Sequence, residues 1–286
     1  MKAGFVNLLK PAGATASDMV VKLRRILQEK KIGHLGTLDP GAVGVLPIAV
    51  GGAATKLFDL LTNKRKTYRA FFTFGKTTDT LDSYGELAST SALPSADDVL
   101  AAAKCFVGTI DQLPPAYSAI SVGGVRAYKL ARNGEDVALP TRKVTIYSYD
   151  FVRQIGDDTF VFDIECSGGT YIRSLARDLA ASLGLVAYMS GLIRLQSGNF
   201  CFDDALRVDE VETLGEKSIL PLTFPLSDLP DLILDDMYYK PLSNGVKFRY
   251  EPHFDGLAKT YCNGEFFGLG EACDGKFHLK YYLKDA

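Results

Sequence analysis

A chain of 286 residues that is 47% hydrophobic and 23% charged has the composition of an ordinary folded protein, with room for one large core and a small appendage. Five scattered cysteines (Cys105, Cys166, Cys201, Cys262, Cys273) without a C-x-x-C pair, beside only three histidines (His34, His253, His278), exclude a disulfide framework and offer no metal-site spacing. The net charge of −2 excludes a globally basic surface, yet residues 1–80 hold 13 Lys/Arg against 5 Asp/Glu, which leaves a local positive face for a polyanion.

No stretch reaches the roughly 18 uninterrupted apolar residues of a membrane span, and the run from Phe5 to Leu9 stops at Lys10-Pro11, too short for a secretory core, so a cytoplasmic protein is expected. Thr15 to Lys31 predicts an amphipathic helix: Thr15 and Asp18 form a capping pair, Val20, Leu23, Ile26 and Leu27 recur at helical spacing, and Gly33 follows as terminator. Its other face carries Lys22, Arg24, Arg25, Lys30 and Lys31, a solvated face or a phosphate contact. Residues 33–47, GHLGTLDPGAVGVLP, hold too many Gly and Pro for a long regular element and predict a loop with demanding backbone angles. A second helix is expected over Ala53 to Leu61, and residues 64–75, KRKTYRAFFTFG, read as a strand entered from a basic turn, with Tyr68 near its start.

Ser95, Asp98 and the run Val99 to Phe106 signal another helix, and residues 114–132 read as an extended segment, a Gly-Gly turn and a short helix. Alternation over residues 142–166 around Gly156-Asp157 predicts a hairpin, and residues 166–184, CSGGTYIRSLARDLAASLG, pass from strand through a glycine turn into a helix. Strands joined by tight turns and interleaved with helices favour an α/β fold with a mixed, largely antiparallel sheet over a doubly wound parallel one. Pro221 to Pro230 reads as a connector, and Val246 to Tyr282 as three short strands punctuated by Asn263-Gly264 and Asp274-Gly275. The expected division is a catalytic domain over 1–230 and a small all-β domain over 231–286.

Asp39 is the leading chemical candidate. It precedes Pro40, which forces it out of helical geometry, and glycines at 33, 36, 41 and 44 let backbone and substrate come close. Taken alone, an Asp-Pro pair is more often a turn closed through its own backbone. Here the surrounding residues resemble the signature of the TruB-type pseudouridine synthases, G-H-x-G-T-L-D-P, and further family-like blocks follow in order. They are LLKPAGATASD at 8–18, KTYRAFFTFGKTTDTLDSYGE at 66–86, PPAYSAISVGGVRAYKLAR at 114–132, CSGGTYIRSLARDLA at 166–180 and LIRLQSGNF at 192–200. The resemblance spans roughly residues 5–230.

The resemblance implies a pseudouridine synthase fold, a small C-terminal domain of the PUA kind that binds RNA, and isomerisation of the uridine at tRNA position 55 in the T-loop to pseudouridine. No cofactor or metal is implied, and the expected partner is tRNA, without membrane or obligate protein partner, the enzyme acting as a monomer. The glycosidic bond must break, the uracil turn and the bond reform through C5; a carboxylate beside C1′ suits that chemistry, as in retaining glycosidases. By the resemblance Asp39 is the nucleophile, whether at C1′, at C6 or by assisting loss of the C2′ proton.

Arg173, in SGGTYIR, matches the arginine that pairs with that aspartate, an opposite charge favouring the ionised, reactive carboxylate. Tyr68 matches the active-site tyrosine, a stacking platform worth about 1–3 kcal/mol or a proton acceptor. As a base, a free phenol near pKa 10 is only about 0.1% ionised at pH 7. His34 resembles the histidine beside the inserted RNA, Tyr171 the residue at the uracil edge and Leu192 an apolar wall. Asp82 and Lys10 lie in matched blocks, Lys10 as a support for the first loop. Extruding a buried uridine costs a few kcal/mol, and Lys22, Arg24, Arg25, Lys64, Arg65 and Lys66 are expected to hold phosphates while it happens. Ser121 departs from the family, which often has Lys there. Competing readings are a guide-RNA-directed synthase, a non-catalytic RNA-binding or RNA-folding protein, and a glycoside hydrolase, the last lacking a second positioned acid.

Overall fold

The computed structural model describes residues 3–284 except 63, 119, 123, 133–138, 251–255 and 274. The chain begins with strand β1 (Gly4–Lys10) and helix α1 (Ala16–Ile26), where Thr15 accepts from the Asp18 N–H and Asp18 returns the bond to the Thr15 N–H. This capping box satisfies two of the helix's orphan donors. Met19, Val20 and Leu23 are buried from its inner face. The helix ends sooner than the sequence suggests: Leu27 caps it and Gln28 turns left-handed at φ 52°, so Lys30 and Lys31 lie outside it and Gly33 falls in β2 (Ile32–His34).

Next come β3 (Val43–Val50), α2 (Gly51–Lys56) and α3 (Phe58–Thr62). The single helix expected over 53–61 is thus two, broken at the buried Leu57. Strand β4 (Lys66–Phe74), the hairpin β5 (Lys76–Thr78) and β6 (Leu87–Thr90), α4 (Ala96–Lys104) and β7 (Gly108–Gln112) follow. A small hairpin, β8 (Ser121–Val122) and β9 (Val125–Arg126), runs into α5 (Ala127–Arg132). The long hairpin β10 (Arg142–Ile155) and β11 (Thr159–Cys166), α6 (Ile172–Ser182), β12 (Ala187–Ser197), β13 (Phe200–Cys201) and α7 (Val208–Leu214) complete this part.

The central sheet runs β1-β3-β12-β4-β11-β10-β7, with β2 on β3 and β13 on β12. All its junctions are antiparallel except β3 with β12, which are parallel over only Ile193 opposite Val43 and Arg194 opposite Gly44. At that point the backbones nearly touch: Gly44 has φ 119°, and a methyl group on it would lie 2.3 Å from the Arg194 carbonyl oxygen. Only glycine fits there.

Strand alternation sends Val6, Leu8, Leu46, Ile48, Tyr68, Ala70 and Phe72 to one face, where α1, α4 and α6 cover them. Phe5, Val45 and Ala49 go to the other face, against Ala53, Ala54, Leu57 and Leu61 of the α2 and α3 region.

The second sheet comprises β14 (Asp231–Leu234), β15 (Phe248–Arg249), β16 (Ala258–Cys262), β17 (Glu265–Cys273) and β18 (Lys276–Tyr282), with the short α8 (Tyr239–Ser243) between β14 and β15. Its order is β14-β16-β17-β18-β15, and it curls around Leu232, Leu242, Phe267 and Phe277. The β16–β17 turn has Asn263 at φ 53° and Gly264 at φ 73°, the conformation for which Asn-Gly is chosen. Asp274, of the other hairpin turn expected from the sequence, lies outside the described residues.

Two features were not legible in the sequence. Strand β14 pairs in parallel with β16, and the stretch over 221–230 is partly core, with Pro225 and Leu226 buried. Leu269 of the second sheet and Leu283, just past its last strand, share a buried cluster with Leu226, Val45 and Leu35. No helix among the described residues is long and apolar enough to cross a membrane.

Candidate active site

Between β2 and β3 the chain forms an irregular loop anchored from below. Leu35, Leu38 and Ala42 are buried, Gly36 takes φ 103°, and the Leu35 N–H donates to Pro47 O at 2.8 Å. Gly13 N–H reaches Pro40 O at 2.9 Å, and Ala42 N–H bonds back to Asp39 O at 3.0 Å. The backbone around Asp39 is therefore committed, while its carboxylate stays 31% exposed. It is held yet open to a reactant.

Arg173 comes from the first turn of α6, whose start is fixed by Gln112. Its Oε1 accepts the Tyr171 N–H at 2.8 Å, and its Nε2 donates to Tyr171 O at 3.1 Å. The Arg173 side chain is only 7% exposed. Its Nε lies 3.0 Å from Asp39 Oδ2 and its Nη2 donates to Asp39 Oδ1 at 3.2 Å, a fork against a carboxylate. The remaining reach goes to Thr80 O and Tyr117 O, each at 3.0 Å, and Asp82 Oδ2 stands 3.6 Å from Nη1. Asp82 is itself oriented by the Thr80 hydroxyl at 2.7 Å and the Tyr84 N–H at 3.0 Å. A buried guanidinium with two carboxylates and two carbonyls around it is electrically compensated and geometrically fixed.

Tyr68 sits on β4 opposite Arg194 of β12 and Ile164 of β11, and it is buried in the cluster that contains Leu38, Ala42 and Leu192. Burial pushes its phenol up to about 12, with Asp39 adding in the same direction and Arg194 opposing. At neutral pH it is a neutral hydroxyl. His34, at the end of β2, is partly buried; its Nδ1 has no hydrogen-bond partner among the described residues, and desolvation, with Arg194 nearby, lowers its pKa. Tyr171 precedes Arg173 by two residues and has the Arg142 guanidinium 5.9 Å from its ring centre. The chain thus brings Asp39, Arg173, Tyr68 and Leu192 to one place from the β2–β3 loop, α6, β4 and β12.

The sequence model of the TruB family pseudouridylate synthase N-terminal domain matches residues 24–172, just over half of the chain. The chain belongs to the TruB family. Named relatives agree along almost the whole length: tRNA pseudouridine synthase B of Clostridium perfringens is 39% identical over 98% of this chain and 98% of that protein. The Bacillus licheniformis protein of the same name is 42% identical, covering 90% and 87%. Among solved structures, a Cbf5-Nop10-Gar1 complex matches with TM-score 0.71 and 27% identity over 94% of this chain and 78% of the other. An H/ACA RNP bound to a substrate RNA containing 2′-deoxyuridine shares the fold, with TM-score 0.74 and 23% identity over 98% and 84%. The mixed, largely antiparallel sheet with a small β-rich C-terminal part is the TruB-type fold that the sequence motifs imply.

Within this TruB-family site, one cation escaped sequence reasoning, and a second, Lys10, has the loop-supporting place expected of it. Arg194 is completely buried and donates from Nε to Val45 O at 2.6 Å, from Nη1 to Thr37 O and from Nη2 to Gly36 O, both at 3.3 Å. It suspends both ends of the Asp39 loop. The available signal was its position two residues after Leu192 on a strand, which puts a charge on the inward face. Lys10, fully enclosed at the end of β1, donates to Ala14 O at 2.7 Å, Pro11 O at 2.8 Å and Pro40 O at 3.1 Å. It ties the first loop to the residue following Asp39, and burial lowers its amine to about 8.

The basic residues divide. Lys22 and Arg25 are exposed on α1, and Arg24 is exposed while donating to Ile32 O at 2.9 Å. Arg65 lies over the Tyr147 ring at 3.8 Å and 3.2 Å from Glu165, and Lys64 pairs with Asp228. Lys66 corrects the expectation of a surface cation: it is 6% exposed, and its ammonium donates to Thr62 O at 2.7 Å and Lys64 O at 3.3 Å. It closes the C-terminal end of α3, where unpaired carbonyls favour a cation. Ser121 lies in β8, and its side chain is outside the described residues.

Proposed function

We propose that this chain converts the T-loop uridine at position 55 of tRNA to pseudouridine, with Asp39 as the nucleophile on a nucleoside swung out of the RNA. The single observation that carries the reading is the Asp39–Arg173 fork, a carboxylate clamped at both oxygens yet exposed on one side. Cleavage of the glycosidic bond leaves positive character on the sugar carbon, which a fixed carboxylate can stabilise or capture without reorganising. The freed uracil then turns and its C5 bonds to C1′ as Asp39 is released; the C5 proton is lost and N1 takes one up, so overall no atom is gained or lost. We favour attack at C1′.

In this reading Tyr68 packs as a neutral ring beneath the uracil, Leu192 forms the apolar wall, Tyr171 meets the uracil edge and His34 lines the entry of the RNA. A phenol held near 12 supports a stacking or hydrogen-bonding role over that of a resting base. Lys22, Arg24, Arg25, Lys64 and Arg65 face phosphates. The sheet over 231–286 is a small RNA-contacting domain beside a catalytic domain over 1–230, and the enzyme works in the cytoplasm as a monomer without a protein partner. Similarity along 98% of a relative named as a tRNA pseudouridine synthase supports action on tRNA.

The test is incubation of the purified protein with an unmodified tRNA transcript, followed by chemical mapping of pseudouridine. A single stop at position 55 from protein alone is the expected result, and Asp39→Asn should abolish it while leaving tRNA affinity within a few-fold. Product that appears only with an added guide RNA, or at full rate from the Asn variant, sinks the proposal.

A further inference from the structure

Tyr84 is 66% exposed, although it stands in the loop that orients the Arg173 clamp. Its N–H is bound to Asp82 Oδ1 at 3.0 Å, and the same oxygen accepts the Thr80 hydroxyl at 2.7 Å. The turn is closed tightly behind it: a methyl group on Gly85 would fall 2.3 Å from both Asp79 Oδ1 and Thr80 Oγ1, and the Glu86 N–H binds Asp79 Oδ1 at 2.9 Å. The ring has a backing on one side. It lies on Gly41, where a methyl group would sit 2.3 Å from Cε2, 3.1 Å from Cδ2 and 3.3 Å from Cζ. Gly41 follows Asp39 by two residues, so an aromatic ring is laid against the catalytic loop with most of its surface open to solvent.

Single exposed aromatics are common and need no explanation by themselves. Here the ring is backed by glycine, fixed by a carboxylate that also faces Arg173, and next to a site whose substrate must lose its stacking neighbours to enter. Water is a poor substitute for those neighbours; a flat apolar ring is a good one. We propose that Tyr84 is a stacking platform for an unpaired nucleobase adjoining the target uridine, a binding subsite that contributes to substrate affinity and not to the chemical step. The inference rests on the function proposed above.

A T stem-loop RNA carrying 2-aminopurine next to the target uridine tests it, using the full-length protein. Tyr84→Ala should raise KM about tenfold, the scale of one lost base–aromatic stack, with kcat within threefold and with the quenching of 2-aminopurine on binding lost. Tyr84→Phe and Tyr84→Trp should restore both readouts. Tyr84→Leu keeps an apolar cover on Gly41 without a π-face and should behave like the Ala variant, whatever either does to thermal stability. The inference is overturned if the Ala variant keeps its KM within twofold, if quenching survives in it, if kcat alone falls, or if Leu works as well as Tyr. Should the wild-type protein form no pseudouridine at all, the functional reading fails instead, and the quenching readout still reports whether the base stacks.

Discussion

Arg194 on β12 reaches the carbonyl oxygen of Val45 on β3 at 2.6 Å, across the one parallel junction of the central sheet. A charge with no accessible surface is holding backbone oxygens on both sides of Asp39, at Gly36, Thr37 and Val45. Lysine cannot reproduce this, because Arg194 reaches its three carbonyls from three separate nitrogens, Nε, Nη1 and Nη2, whereas the donors of an ammonium all radiate from one atom. Arg194→Lys should therefore lower stability by about 2 kcal/mol, from buried acceptors left unpaired, and reduce kcat at least tenfold by loosening the loop. Urea unfolding and single-turnover kinetics would check both; a variant that is destabilised but turns over normally would reduce Arg194 to scaffolding.

Removing Arg173 should be worse. Its loss leaves Asp39 and Asp82 without their cation and strands the carbonyls of Thr80 and Tyr117. Arg173→Ala is expected to cost about 3–5 kcal/mol, somewhat less if water reaches the exposed side of Asp39, and to eliminate turnover. A stable and active variant, read by denaturation and product mapping, would refute the clamp.

For Tyr68 the pH dependence separates two roles. Its proton is held up to about 12 in the folded protein against an ordinary value of 10, so its stabilising contribution is complete below pH 10 and lost as pH rises through 12. No alkaline or acid limb from this phenol should appear between pH 6 and 10. Rate profiles of wild type and Tyr68→Phe should have the same shape there, whatever their relative heights. A limb present only in the wild type would revive the tyrosine as a base.

His34 titrates in the opposite sense. Burial lowers its folded pKa below the ordinary 6.5, so the unfolded chain takes up a proton that the folded one resists. Stability should be full above pH 6.5 and decline as pH falls below it, and His34→Asn should flatten that decline. Thermal melts at a series of pH values decide; an unchanged slope in the variant would assign the acid sensitivity elsewhere.

Charge at the surface predicts a salt effect. If Lys22 and Arg25 each meet a phosphate, changing either to Gln should lower the slope of log affinity against log salt by about 0.7–0.9, uniformly for different tRNAs. Lys66→Gln should leave the slope unchanged and weaken folding instead, since its ammonium already serves Thr62 and Lys64. Filter binding from low to moderate salt is sufficient, and a Lys66 variant with a reduced slope would contradict its buried assignment.

The hairpin over 142–166, the capped start of α1 and the strand bearing Tyr68 were legible because each rests on local rules: alternation, a capping pair, a turn residue. Local rules also misled. The hydrophobic rhythm of 15–31 continued past the point where Gln28 turns left-handed, because the chain must enter β2 against β3. The lysine at 66 looked like its neighbours at 64 and 65, and only the position of α3 turns it inward. The start of β14 carried no alternation long enough to announce a strand, and its parallel partner is 28 residues away, at Asp231 opposite Lys259.

By itself the sequence determined the family and singled out Asp39 as the candidate nucleophile, since an Asp-Pro among glycines constrains its own backbone and the motif blocks stand in fixed order. Tertiary structure alone decided what surrounds that carboxylate. Arg173 is 134 positions from Asp39, and Arg194 is 157 from Thr37, so their meeting depends on the β3–β12 junction and the packing of α6. Whether a cation is clamp, rivet or surface charge follows from its burial and from the oxygens that face it, and neither is a property of the residue type.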